Sequence, residues 1–275
     1  MTAINQRLGS AAINGELWGE RARDWAELQE GSRRPDFELC LRRTGIGHGT
    51  ELLDLGCGAG GFCRLAADAG ARVTGIDAAA GMLEIARERV PGGRFDVGDV
   101  QFLPYDDGTF DVVTGFHSLP FAADPLAALR EAARVAKPGG SLFIVIFGRE
   151  DRNQLAVVLG AIRSLLSPVR AGAPGPTALS DSEVLDDLIT HAGVATVEDG
   201  LVETAYEYPD LDTALRAIRS AGLTLLAERA VGEAAINGAI AGALAPYRTP
   251  GEGFRLEVES RYILAIPRGT VASAR

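Results

Sequence analysis

Glu51-Leu52-Leu53-Asp54-Leu55-Gly56-Cys57-Gly58-Ala59-Gly60-Gly61-Phe62 decides how the rest of the chain is read. Leu52, Leu53 and Leu55 form a short apolar run with the length of a buried strand, and glycines follow at once. Beyond them, Phe62, Leu65, Ala66 and Ala69 fall on one face of a helix that stops at Gly70. Glycine at 56, 58 and 60 lets the backbone turn sharply and lets a ligand approach where a Cβ would collide. The helix behind this turn is expected to offer unpaired N–H groups and the positive end of its dipole to an anionic group, as nucleotide sites do.

The glycine spacing does not name the ligand. Gly56, Gly58 and Gly61 satisfy G-x-G-x-x-G, and Asp77 lies near the position where that dinucleotide fingerprint expects an acid. Two other acids oppose a pyrophosphate. Asp54 sits two residues before Gly56, where a carboxylate repels phosphate but suits an ammonium group. Asp99, in Asp96-Val97-Gly98-Asp99-Val100, follows what reads as a third strand.

Composition narrows the function classes. The chain has 275 residues, 47% hydrophobic and 23% charged, as expected of a globular protein with one large core. Its net charge of −10 argues against a nucleic-acid partner, which needs clustered cations. No apolar run approaches the ~18–20 residues needed to span a bilayer, so no membrane partner is expected. The first residues show no apolar signal core, and Cys40, Cys57 and Cys63 are not spaced as metal ligands. No metal is expected, and the expected location is the cytoplasm.

Outward from the glycine turn, strand and helix patterns alternate, which signals a parallel sheet covered on both faces. Residues 71–77, 94–97, 110–115 and 141–147 read as the next four strands. Asp124-Pro125 starts a helix with a capping side chain and a first-turn proline, and Lys137-Pro138-Gly139-Gly140 ends it. From 148 the rhythm changes: an amphipathic helix, then a proline- and glycine-rich stretch at 168–176 that reads as a mobile loop. Ser180-Asp181-Ser182-Glu183 is a capping box for another helix. A strand near 197–206, helices at 210–221 and 230–244, and an alternating strand at 254–266 complete the chain. Residues 1–50 read as a helical cap, with Trp18 or Trp25 either packed on the sheet edge or placed over the ligand. The expected organisation is this cap plus a core over 51–275, whose late additions near 149–195 and 210–250 form a lid, all in one structural domain.

Together these segments resemble the class I S-adenosylmethionine-dependent methyltransferases of the small-molecule type. The resemblance is carried by Leu53-Asp54-Leu55-Gly56-Cys57-Gly58-Ala59-Gly60, Gly75-Ile76-Asp77, Gly98-Asp99-Val100, Phe110-Asp111-Val112-Val113 and Glu131…Arg134-Val135…Lys137-Pro138-Gly139-Gly140, in that order. It implies an α/β fold, a Rossmann-like seven-stranded, mostly parallel sheet of order 3-2-1-4-5-7-6 with the last strand antiparallel. It implies S-adenosylmethionine as cofactor, a ligand that carries an ammonium, a ribose diol and an adenine amine, with S-adenosylhomocysteine as product. Asp54, Gly56, Cys57 and Gly58 would meet its methionine end, Asp77 the ribose hydroxyls, and Ala78, Met82, Asp99 and Val100 the adenine side. Phe116 and His117, after strand four, would face the methyl group.

Methyl transfer to a small, largely apolar molecule is the function this implies. His117 is the candidate general base by position and because imidazole titrates near neutral pH. Its alternative role is to line the pocket or bond the cofactor. Trp18, Leu119, Phe121 and Tyr206 are the candidate substrate pocket. The expected partner is a small molecule, with the protein a monomer or homodimer. A protein of the same fold that binds the cofactor for a cyclisation or rearrangement, or as a binding module, is the rival reading.

Overall fold

The computed structural model describes residues 11–166, 177 and 179–268. Its strands are β1 Glu51–Leu55, β2 Arg72–Asp77, β3 Arg94–Val97, β4 Phe110–Phe116, β5 Ala136–Phe147, β6 Val194–Tyr208 and β7 Phe254–Pro267. They form one sheet of order β3-β2-β1-β4-β5-β7-β6. β1 to β5 are parallel, and β7 runs antiparallel to both β5 and β6.

The apolar runs explain why this sheet is buried on both faces. Leu53, Leu55, Leu142, Ile144 and Ile146 point to one side, and Leu52, Phe143 and Val145 to the other, following the two-residue period of a strand. Helices α6 Pro125–Val135 and α8 Ser182–His191 cover the first side. α3 Arg34–Thr44, α4 Gly61–Asp68 and α5 Ala80–Arg89 cover the second. Each such leucine or phenylalanine contributes about 1.5–3 kcal/mol by leaving water.

Several motif residues serve the lower edge of the sheet, away from the glycine turn. Asp111 accepts from the Glu51 backbone N–H at 2.9 Å and from Lys137 at 2.8 Å. Glu131 accepts from the Leu103 N–H at 2.8 Å and pairs with Arg134 at 2.7 Å. Residues 137–140 do not end α6 outside the sheet as expected. They bulge within β5, because the register steps from Phe110 opposite Ala136 to Val112 opposite Ser141.

The upper edge is shaped by unequal strand lengths. β5 ends with Phe147 opposite Ser260, but β7 and β6 continue as a two-stranded arm down to the pairing of Phe254 with Tyr208. Onto this arm pack α7 Leu155–Ser164, α9 Leu211–Arg219, α10 Gly222–Val231 and α11 Glu233–Leu244. The late region holds three helices after β6 where two were expected, because Gly222 starts a separate α10. The helix cap before α8 is Asp181, which accepts from the Glu183 N–H at 3.0 Å. The expected cap, Ser180, donates instead to the Phe147 carbonyl at 3.2 Å. The stretch 168–176 lies outside the described residues.

Helices α1 Ala11–Gly19 and α2 Ala22–Leu28 face these late helices across the top of the sheet. Ion pairs stitch them together: Arg21–Glu228 at 2.6 Å, Arg216–Asp24 at 2.6 Å and Arg229–Glu16 at 2.6 Å. The enclosed space above the strand ends is the candidate site.

Candidate active site

Glycine is required at the turn after β1 for two independent reasons. Gly56 has φ +67°, and a Cβ there would collide with Ser118, whose hydroxyl donates to the Leu55 carbonyl at 2.6 Å. The N–H groups of the turn are consumed inside the protein. Gly56 and Cys57 donate to the Ile76 carbonyl at 2.8 and 3.1 Å, and Gly58 donates to Asp77 at 2.9 Å. The α4 terminus is taken as well: Gly61 N–H donates to Glu30 at 3.0 Å, and Glu30 is ion-paired to Arg89. The expectation of free N–H groups awaiting an anion therefore fails here. Glu30 already fills that place, which disfavours a pyrophosphate and agrees with the acid at 54.

Three acids stand at the ends of adjacent strands and line one cavity. Asp54 is 2% exposed and accepts from Thr114 at 2.8 Å. Burial, with further repulsion from Asp77 and Glu30, raises its pKa to about 7. Asp77, at the end of β2, accepts from the N–H groups of Ala79 at 2.8 Å and Gly58 at 2.9 Å, while burial pushes its pKa up. Asp99, beyond β3, is held by Gln101, whose backbone and side-chain nitrogens lie 2.9 and 2.8 Å away. Gln101 in turn accepts from the Asp124 N–H at 2.7 Å. Buried Met82 and half-buried Val100 wall this side, with Ala78, Gly56, Cys57 and Gly58. Burial pushes the Cys57 thiol well above its ordinary pKa, so it is a packed thiol and not a nucleophile.

The other half of the cavity is aromatic. Phe116, Phe121, Phe147 and Tyr206 line it together with both Trp18 and Trp25, whose rings meet edge to face at 4.8 Å. Leu155, Leu159 and Ile218 from the late helices close it. The empty space is about 1380 Å³, including the solvent at its mouth. Leu119 does not line it: its side chain is turned into the core beneath, against the α6 side of the sheet. The short 3-10 turn over Leu119–Phe121 accounts for this, since it points Phe121 up and Leu119 down. Of the late tyrosines, Tyr206 reaches the cavity, and Tyr208 instead donates to Gln29 at 3.0 Å.

His117 sits between the two halves. It has φ +57°, the one left-handed non-glycine among the described residues, a conformation costing about 1–3 kcal/mol that persists where surrounding structure enforces it. Its N–H donates to the Val145 carbonyl at 2.7 Å, and its ring packs on Phe147 at 4.7 Å. Nε2 lies 3.2 Å from Asp36, a fully buried residue of α3 that also accepts from Ser260 at 3.3 Å. Burial, aided by the charge of Arg33, lowers the His117 pKa to about 4, against the pull of Asp36. The ring is therefore neutral at physiological pH; in the tautomer that donates Nε2–H to Asp36, Nδ1 is the acceptor. Nδ1 has no hydrogen-bond partner.

Glu30, Arg33, Asp36 and Gln101 were not singled out from the sequence, although all four shape this site. The only sequence signal was charged residues recurring beside Phe37 in the cap region, a pattern equally typical of a solvated helix face.

The strand order, the antiparallel β7 and the row of acids at the ends of β1, β2 and β3 define a Rossmann-like methyltransferase. Residues 53–144 match the methyltransferase domain family. Malonyl-[acyl-carrier protein] O-methyltransferase from Serratia marcescens is 29% identical over 90% of this chain and 92% of its own. Ubiquinone biosynthesis O-methyltransferase from Vibrio parahaemolyticus is 34% identical over 53% of this chain and 67% of its own. A putative methyltransferase of Haloferax volcanii, solved with its Trm112 activator, superposes with a TM-score of 0.60 at 23% identity, covering 94% of this chain and 97% of the other. The chain belongs to the class I S-adenosylmethionine-dependent methyltransferases.

Proposed function

We propose that this protein methylates a small, largely apolar molecule at an oxygen, with His117 as general base. The observation that carries the reading is His117, neutral, bonded to Asp36 and with a buried, unpartnered Nδ1, at the junction of an acid-lined and an aromatic half-cavity.

The residues of the acid-lined half fit S-adenosylmethionine. Asp99 suits the adenine amine and Asp77 the two ribose hydroxyls. Asp54 suits the ammonium, and Met82, Ala78 and Val100 would flank the purine. Gly56 and Gly58, with Cys57 between them, would present backbone to the methionine end. Bound there, the cofactor supplies a methyl group already activated for in-line displacement.

What remains for the chain is to position the acceptor, exclude water and take up a proton. Trp18, Phe116, Phe121 and Tyr206 form a wall suited to an apolar acceptor. Asp36 is the positioning residue: by accepting from Nε2 it would fix the tautomer in which the buried Nδ1 is the nitrogen able to take a proton. Both relatives described above are named O-methyltransferases, which supports oxygen attack.

Production of S-adenosylhomocysteine across a panel of hydroxylated small molecules tests this. Removing a general base costs about 10²–10⁴ in rate. His117→Gln should therefore lower kcat within that range while leaving S-adenosylhomocysteine affinity unchanged, and Asp36→Asn should follow it in part. Full activity of His117→Gln would reject the base. Tight cofactor binding without turnover on any acceptor would favour the non-methylating alternative.

A further inference from the structure

Arg33 stands out among the groups the proposed reaction leaves unused. It lies at the end of the short 3-10 turn Glu30–Arg33, is 6% exposed and lines the aromatic half of the cavity. Its guanidinium packs over the rings of Phe147 and Tyr206, at 4.7 and 5.1 Å from their centroids. Those rings hold it by cation–π attraction but offer no acceptor for its N–H groups. Nη1 is fully buried and has no hydrogen-bond partner, and among the described residues no carboxylate lies within ion-pairing distance of Arg33. Of the two acids three residues away, Glu30 is paired to Arg89, and Asp36 bonds His117 and Ser260 through Oδ2 and makes no ion pair with Arg33. The backbone around Arg33 is fixed by Thr204, which donates to the Ser32 carbonyl at 2.6 Å. A buried cation without a counter-ion is costly, and proteins rarely retain one unless something else completes it.

We infer that Arg33 is the anion-binding subsite of the acceptor pocket and that the methyl acceptor carries a carboxylate. This rests on the methyltransferase reading of the same cavity. A carboxylate matches the planar guanidinium fork with two parallel hydrogen bonds, which a neutral group cannot do. Position separates this subsite from the cofactor. The acids suited to adenine, ribose and ammonium stand on β3, β2 and β1, whereas Phe147 and Tyr206 belong to β5 and β6, on the far side of β4. A molecule anchored at Arg33 with an apolar body along Phe147, Leu155 and Leu159 brings its reacting end toward His117. The acceptor is thus an amphipathic acid.

The test uses the full chain and two matched pairs, para-hydroxybenzoate with its primary amide and omega-hydroxydecanoate with its primary amide. Binding of each to the S-adenosylhomocysteine complex is followed by calorimetry, and turnover by S-adenosylhomocysteine release. At least one acid should bind about tenfold or more tightly than its amide, and Arg33→Met should abolish that preference while changing S-adenosylhomocysteine affinity less than about threefold. Arg33→Lys keeps the charge but not the fork and should fall between. Because the guanidinium is unpaired in the free protein, Arg33→Met should unfold at the same temperature as the wild type or higher. Four results would overturn the subsite: no acid binding, equal binding of acid and amide, loss of S-adenosylhomocysteine binding in Arg33→Met, or marked destabilisation of that variant. Arg33-dependent acid binding with no methyl transfer to any acceptor would keep the subsite and reject the methyltransferase reading instead.

Discussion

Asp54 shows how a single side chain trades stability for binding. Burial raises its pKa to about 7, above its ordinary value of 3.8. The folded state thus holds a proton that the unfolded chain releases. The resulting stability is complete below pH 3.8 and is lost as pH rises through about 7. An ammonium group reverses the balance, because it pairs only with the ionised acid. Cofactor affinity should therefore rise about tenfold per pH unit below pH 7 and level off above it, with a proton released on binding. Calorimetry of S-adenosylhomocysteine between pH 5.5 and 8 reads this directly, using ~0.5 unit steps. Asp54→Asn should bind weakly with a flat profile and unfold at a higher temperature than the wild type at pH 8. A flat wild-type profile would place the ammonium elsewhere.

Among the elements, the contact of α1 and α2 with α9 and α10 decides whether the cavity closes. Glu228 on α10 is its hub, paired to Arg21 at 2.6 Å and to Arg219 at 2.9 Å, and these partners depress its pKa to about 2. A lowered carboxylate pKa gives stability that is present above the ordinary value of 4.5 and is lost as pH falls toward 2. Glu228→Gln should cost about 1–3 kcal/mol near neutral pH, since it leaves two guanidinium groups short of a partner. The expected drop in Tm is roughly 2–4 °C per kcal/mol for a chain of this size. The wild type and variant should converge as pH falls below 4.5. If Glu228→Gln matched the wild type in Tm across this range, the ion pairs would contribute nothing to closure. Salt screens exposed pairs such as Arg216–Asp24 more than this hub.

Across the whole molecule, what was legible in the sequence is what depends on local pattern. A parallel strand buried on both faces reads as an apolar run, so β1, β4 and β5 were visible; β2 and β3 followed from the strand–helix alternation, and with these strands came Asp54, Asp77 and Asp99. Capping chemistry was less secure: Ser180 and Asp181 are both capable caps, and the choice of Asp181 follows from Ser180 being drawn to the Phe147 carbonyl. Leu119 and Phe121 are equally apolar, and only the 3-10 turn sorts one into the core and the other into the cavity. The polar shell around His117 was not legible at all. Asp36 meets His117 across 81 residues and Ser260 across 224, and Glu30 meets Gly61 across 31. No periodicity reports such pairings, because they exist only once the helical cap has docked on the sheet.

The most direct measurement is a crystal structure of the protein with S-adenosylhomocysteine. The adenine amine should lie within hydrogen-bond distance of Asp99, both ribose hydroxyls on Asp77 and the ammonium on Asp54, at about 2.7–3.2 Å. The sulfur should face His117, with the space before Arg33, Phe147 and Tyr206 still open for an acceptor. A homocysteine carboxylate seated on Arg33, or a sulfur turned away from His117, would contradict the account.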